Sequence, residues 1–389
     1  MVKKIILFLI VPFFFINSLQ SVTVNGNNAI WSTEEDEEFL YSVIGKNTGK
    51  KIWKIYNIKK STAITLFYDT GIIPVWSNDG KIIATSQKDK LIVYKGPTNT
   101  KSFNLATTEI VDMNFSYDNS KIVYSDGSKI YLMELANGEN SFLGDGSKPF
   151  FMNNDKSIIY FDEEFHISTY KSNLKSDVIT REFIKTVLPF KNENKYIFQD
   201  NDLKKIKLMD INLFKTVNVV EEYDEITDFA ISQDNKFIVY VVNGRDLYIA
   251  HIPTRLKVNV LSDSSIYTPK LSKFLKYCSY EKNEIIYIKE IDKYIDAFKL
   301  DKIFRVNIGF KQGVTMGMSL EAYEERKNPF TGQVIGMDNN KFKGLLKVIT
   351  VYDDYCYCQV DESVQSGNKI EVNDIAYWKE KDITAVITK

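Results

Sequence analysis

Histidine, cysteine and proline are all scarce in this chain, whose 389 residues contain two, three and eight of them. The shortage of histidine narrows the chemistry, since most acid–base and nucleophilic mechanisms rest on an imidazole or on a group that one activates. No Gly–x–Ser–x–Gly elbow, no phosphate-cradling Gly–x–x–x–x–Gly–Lys–Ser/Thr and no His–Glu–x–x–His run occurs either. Three cysteines are an odd number, which argues against a disulfide framework, so a hydrophobic core must hold the fold. Charge of one sign is not in excess: 50 Lys and Arg face 51 Asp and Glu, which leaves no basic field for nucleic acid. The apolar run from Ile5 to Ile16 is short of the roughly 20 residues that cross a bilayer.

That run has the flanks of an export signal. Lys3 and Lys4 precede it, and Asn17, Ser18 and Ser21 follow, which fits cleavage after Ser21. Residues 1–21 are expected to be a signal peptide, and the mature protein to be periplasmic with no stable membrane span. Retention by an uncleaved N-terminal anchor is the alternative. No cysteine lies near the cleavage point, which argues against a lipid-anchored form. Losing Lys3 and Lys4 takes the formal charge from −1 to −3.

With 44% hydrophobic and 13% aromatic residues the chain can bury a large core, and its length suits two domains. From Val22 to about Leu300 one pattern recurs: PVWSNDGKIIAT from Pro74, MNFSYDNSKIVY from Met113, PFFMNNDKSIIY from Pro149, LPFKNENKYIFQ from Leu188, FAISQDNKFIVY from Phe229 and PKLSKFLKYCSY from Pro269. A further copy, AIWSTEEDEEFLY from Ala29, carries one inserted residue. Taking Ser32, Ser77, Ser116, Met152, Lys191, Ser232 and Ser272 as equivalent gives a period of about 40 residues, the length of a propeller blade. In each unit an apolar residue precedes a Ser–x–Asp–Gly/Asn turn, whose Asp, Asn and Gly suit a tight hairpin, and a β-rich run follows. The expectation is an all-β protein, with a β-propeller of about seven blades over 22–300. A two-layer sandwich accounts for many short strands but not for their shared phase.

The Ser–x–Asp–Gly–Lys–Ile–Ile pattern, seen most fully in Pro74–Ala84, resembles the WD-like propeller repeats of TolB-like bacterial periplasmic proteins. The copies at Leu188 and Pro269 lack the Asp–Gly turn.

Past Leu300 the repeat stops. Runs at Ile303–Ile308, Leu320–Glu324, Leu345–Tyr352, Tyr355–Val360, Lys369–Val372, Ile375–Trp378 and Ile383–Ile387 predict a small C-terminal β-barrel of the SH3/OB-like kind over 301–389. Gly309, Gly313 and Gly317, then the Pro329 and Thr331–Gly332 hairpin, resemble the C-terminal barrel of FlgT-type flagellar and envelope proteins; where that family commonly has Gly–Asp before the late strand, this chain departs with Asn373–Asp374, which Asn can accommodate in αL. The resemblance implies glycine turns with positive φ, an interaction module and no catalytic activity.

Candidate sites each have an ordinary reading beside the sharp one. His166 and His251 flank strand runs and read as rim or edge residues rather than bases or ligands. Cys356 and Cys358 share one face of a strand and could pair as metal thiolates, but no further Cys or His accompanies them, so barrel core is the favoured reading. Cys278 aligns with Ile238, a core position. The acidic run Glu34–Glu38 could collect a hard cation, yet it replaces a hairpin turn and lacks a calcium-loop pattern, so a solvated turn is expected. Asp79, Asp118 and Asp234 read as turn formers, and Trp31 and Trp76 as inter-blade core rather than a sugar platform. No catalytic, cofactor or metal residue is assigned. The expected function is a non-enzymatic scaffold for other cell-envelope proteins, flagellar basal-body components by resemblance. Alternatives are a binder of an oligosaccharide or peptide at the propeller mouth and, less favoured, a propeller lyase or glycosidase.

Overall fold

The structure, a computed structural model, describes residues 22–388 apart from 69–71, 96–98, 153–154, 156, 162–166, 172–173, 181–183, 185, 191–192, 214 and 366–368. His166 and Lys191 lie outside the described residues. Up to Glu290 the chain forms seven four-stranded antiparallel sheets arranged as a β-propeller. Six are continuous in sequence, spanning 27–68, 75–104, 112–145, 147–180, 186–221 and 226–262, and are numbered here as blades 1 to 6. Blade 7 is composite: Tyr267–Leu271, Tyr277–Lys282 and Ile285–Glu290 are completed by Val22–Asn25, with Val24 opposite Ile286. Six blades thus close within their own sequence and the seventh closes the ring.

One register recurs in every blade. The residue before the turn pairs with a fixed partner after it: Trp31 with Phe39, Trp76 with Ile83, Phe115 with Ile122, Phe151 with Ile158, Pro189 with Tyr196, Ile231 with Ile238 and Leu271 with Cys278. The extra residue in the first copy is absorbed in its turn. Blade 5 corrects the alignment by one position, because Phe190 N–H donates to the Lys195 carbonyl as Ser77 N–H does to Ile82. Phe190, not Lys191, therefore occupies the serine slot.

Calling the strands of each blade A to D from the channel outward, strand B packs against neighbouring blades on both sides. Its sequence accordingly reads as a continuous apolar run, and Phe237–Val242 is buried throughout. Strand D faces solvent, as the mostly exposed Thr62–Tyr68 shows. Antiparallel meanders entered at strand A put all AB and CD turns on one face of the disc and all BC and DA connections on the other. Val22 begins on the AB/CD face, and the chain leaves blade 7 for the second domain from that same face.

The second domain is a closed barrel of six strands in the spatial order Ile303–Val306, Cys356–Gln365, Val334–Val351, Ser319–Lys327, Ile375–Trp378 and Ile383–Thr388. Its single core gathers Phe304, Val306, Leu346, Val348, Trp378 and Ile387. Lys369–Val372 is not a strand: Ile370 is buried, but Glu371 N–H donates to the Asp374 carboxylate in a turn. The hairpin between Ser319 and Val351 is longer than expected and runs out past the barrel wall. Gly313 and Gly317 hold positive φ as expected, and so does Asn373 at 77°. Gly309 has another reason: a Cβ there would lie 2.2 Å from the Tyr352 carbonyl oxygen.

Candidate functional site

Three places are built by specific side chains: the channel mouth and the foot of the barrel on the AB/CD side, and the hairpin arm of the barrel.

At the mouth the repeated serine is the hinge of the turn in the blades that carry it. Ser77, Ser116 and Ser232 are buried, donate their hydroxyls to Asp79, Asp118 and Asp234 at 2.6, 2.7 and 2.5 Å, and accept the backbone N–H of Ile82, Lys121 and Phe237. A buried hydroxyl needs such partners, and the turn supplies them. The phased Asp residues are turn formers, as expected. Hydrogen bonds from the Ser120 backbone and the Ser116 hydroxyl hold the Asp118 carboxyl below its usual range. Position four of the turn is left-handed, with Gly80, Asn119 and Asn235 at φ of 72°, 60° and 59°. At Gly80 any Cβ would strike Glu34 at 2.5 Å.

The turns also clasp one another around the ring. Thr33 donates to the Ser77 carbonyl, Asn78 donates to the Ser116 carbonyl, and the Asp155 carboxylate accepts the N–H groups of Tyr117 and Asp118. Asp36 departs from the solvated turn expected of the acidic run: it is buried and accepts Phe274 N–H at 2.7 Å, fastening blade 1 to blade 7. Glu37 pairs with Lys59 at 2.7 Å. Trp31 donates to Ser279 Oγ and Trp76 to the Ile30 carbonyl, so each indole stitches its blade to the preceding one. Inside this ring a cavity of about 230 Å³ opens between Phe115, Phe150, Phe151, Leu188, Pro189 and Ile231, with Asn78, Tyr117, Asp155 and Gln233 at its edge. It is smaller than the roughly 300–1,000 Å³ of most small-molecule pockets.

The foot rests on the CD turns of blades 5 and 6. Thr350 donates to the Thr254 carbonyl, Tyr352 donates to the Pro253 carbonyl at 2.8 Å, and Lys215 pairs with Asp353 at 2.6 Å. Four planar groups stack through the junction: the Arg255 guanidinium lies 4.5 Å over Tyr352, Tyr352 and Tyr355 are 4.6 Å apart, and Arg305 lies 4.1 Å over Tyr355. Guanidinium on aromatic faces is favourable where water is excluded. His251 sits behind this contact and is buried rather than at a rim, against Phe237 and Phe298, with Nδ1 2.8 Å from Thr254 Oγ1. Burial pulls its pKa down to about 4.

The arm is the end of the long hairpin. Asn328 Oδ1 accepts the N–H groups of Phe330 and Thr331, and Gly332 turns at φ 70°. Phe330 at the tip is 95% exposed, with Val334 and Ile335 exposed beside it.

The remaining candidates fall into structural places. Cys356 and Cys358 face the barrel core, fully buried, with sulfurs 3.5 Å apart. The hydrogen bond to Cys356, and then burial, push the Cys358 thiol well above its usual range, opposite to a metal-binding thiolate. Among the described residues no three His, Cys, Asp or Glu side chains gather as a metal cluster. Cys278 is a core position, its thiol pushed up to about 12 by burial. The buried carboxylates are each engaged locally: Asp36 as above, Glu281 with Ala29 N–H, and Asp374 with Lys343 at 2.9 Å. The bonding role of the serine hydroxyl, the burial of Asp36 and the tyrosine–arginine stack were not read from the sequence. The serine alone left a signal there, its recurrence in phase.

No family model matches the chain, and no curated protein matches it in sequence. Among described residues no helix is long and apolar enough to cross a membrane. Among solved structures, the β-propeller domain of Myceliophteria thermophila Cps50 (Swd1) is similar, with a TM-score of 0.53 at 9% identity, over 70% of this chain and 99% of that one. At that identity the likeness is one of fold, and a propeller is a platform for many unrelated activities. The chain is thus an all-β protein, a β-propeller with a small closed barrel mounted on one face.

Proposed function

We propose that the protein is a non-enzymatic scaffold of the bacterial cell envelope, exported to the periplasm, in which propeller and barrel hold other envelope proteins in fixed relation. Flagellar-apparatus components are the first candidates, on the resemblance of the barrel to FlgT-type domains and of the repeats to TolB-like ones. The observation that carries the reading is the foot. Two interaction-type modules are joined by a packed stack and three further cross-domain contacts rather than by a free linker, an arrangement suited to holding partners at a set spacing. The signal-like run before Val22 supports export. Cross-linking in source cells, purification of the mature chain and mass spectrometry test the proposal. Reproducible envelope partners are expected, and the protein recovered without any in replicate preparations overturns it.

The aromatic and polar lining of the mouth favours a second reading, a site for a peptide or oligosaccharide. The cavity volume suits one side chain better than a sugar chain.

A further inference from the structure

Every blade leaves its strand D at the rim of the disc with no strand beyond it. Such an edge presents unpaired N–H and C=O groups, and its ready partner is the same edge of another copy, so proteins guard it with charge, shortness or a bulge. Five of the seven D strands here carry a charged residue, among them Lys101, Asp145, Lys175, Lys215 and Lys257. Blade 7 ends instead in a strand of only four residues, Val22–Asn25.

Blade 1 is the exception. Its D strand, Thr62–Tyr68, has seven residues and no charge. A bulge opposite Trp53 and Lys54 interrupts its far end, but Thr62–Thr65 pairs with Lys54–Asn57 without a slip. All four of these residues are exposed, Ile64 by 65%. Alternate residues along this stretch turn their N–H and C=O groups outward, and a row of such groups is satisfied by another extended strand.

The charges select which strand. Pairing this edge with any of the five charged edges of a copy would carry a charge into the new ladder, whereas pairing it with its own kind brings none. Of the lysines just before it, Lys59 is engaged by Glu37 at 2.7 Å and Lys60 is exposed. In an antiparallel pair centred on Ile64 the two copies of Lys60 lie at opposite ends, roughly 25 Å apart. A parallel pair would set them side by side.

We propose that the chain forms a two-fold dimer in which Thr62–Thr65 of blade 1 pairs antiparallel with the same strand of a second copy, Ile64 beside Ile64, joining two blades into one continuous sheet. Apolar β-branched residues opposite one another favour such a pair. The contact is isologous, so it closes at two. It is independent of the envelope-scaffold reading, which stands whether or not copies associate.

The test uses the full mature chain. Sedimentation over a concentration series is expected to show a monomer–dimer equilibrium. Ile64→Lys sets like charges opposite one another and is expected to weaken the dimer about tenfold or more, while Ser102→Lys, on the exposed edge of blade 2, leaves it unchanged. Hydrogen exchange in 62–65 is expected to slow at concentrations where the dimer forms. A monomer at every concentration, association beyond two, a dimer indifferent to Ile64→Lys, or slowed exchange confined to other segments each overturn the proposal. Ile64 is exposed, so its lysine variant folds, and an unfolding midpoint at low concentration equal to that of the parent chain separates lost pairing from lost fold.

Discussion

The barrel meets its surroundings in two opposite ways. At the foot, Thr350, Tyr352 and Asp353 are engaged by Thr254, Pro253, Arg255 and Lys215 of the propeller, and His251 and Phe298 fill the space behind them. At the arm, residues 329–335 are all exposed. The foot is polar and aromatic yet saturated within one molecule, whereas the arm is apolar and open. The difference separates what the chain uses to hold itself together from what it offers to something else.

The largest expected effect comes from breaking the foot. Tyr352→Ala removes the middle of the stack and the hydrogen bond to Pro253, and should cost about 2–4 kcal/mol. Thermal unfolding should then split into separate propeller and barrel transitions, measurable by calorimetry. A single unshifted transition would show that the foot is incidental.

Acid should attack the same place. His251 is held neutral in the folded protein, with a pKa of about 4 against an ordinary 6.5. Below pH 6.5 the unfolded chain takes up a proton that the folded chain refuses, so stability falls from there down to about pH 4 and then levels off. The full loss is about 3 kcal/mol. Denaturant titrations across this range should show a shallower slope in His251→Gln, and an unchanged slope would remove His251 from the account.

A smaller effect is expected at the mouth, which the comparison places between the two extremes. Ser116→Ala leaves Lys121 N–H and the Asp118 carboxylate each short of a partner and should lower stability by about 1–2 kcal/mol in urea titrations. Smallest of all, Phe330→Ala at the arm should move stability by no more than about 0.5 kcal/mol, since little is packed against it. A large loss there would mean that the tip is structural after all.

How much of this was legible in the sequence follows from periodicity. A turn repeated in phase betrays a blade even when single copies are weak, so Cys278 could be placed beside Ile238 before any coordinates. The misplacement of Lys191 shows where that fails: without the Asp–Gly pair, nothing in the residues distinguishes Phe190 in the serine slot from its neighbour. Asp36 looked like one more solvated carboxylate because its partner, Phe274 N–H, is 238 residues away. The tyrosine–arginine stack is equally non-local, bringing Arg255 and Arg305 to Tyr352 and Tyr355 across two domains. The barrel strands were readable from β-rich runs. The arm was readable only at its turn, marked by Pro329 and Thr331–Gly332, because 326–336 mixes charged, turn and apolar residues without a β-rich run, and only the structure shows Phe330 standing free.

The central claim is that this molecule works by holding other proteins at the propeller mouth and at the arm of the barrel. Photo-cross-linkers placed singly at positions 117, 330 and 223 in source cells test it most directly, because Tyr223 lies in a DA connection on the opposite face and is itself 89% exposed. The account predicts protein adducts from 117 and 330 and few from 223. Adducts confined to 223, or none of protein mass from any of the three, would contradict it.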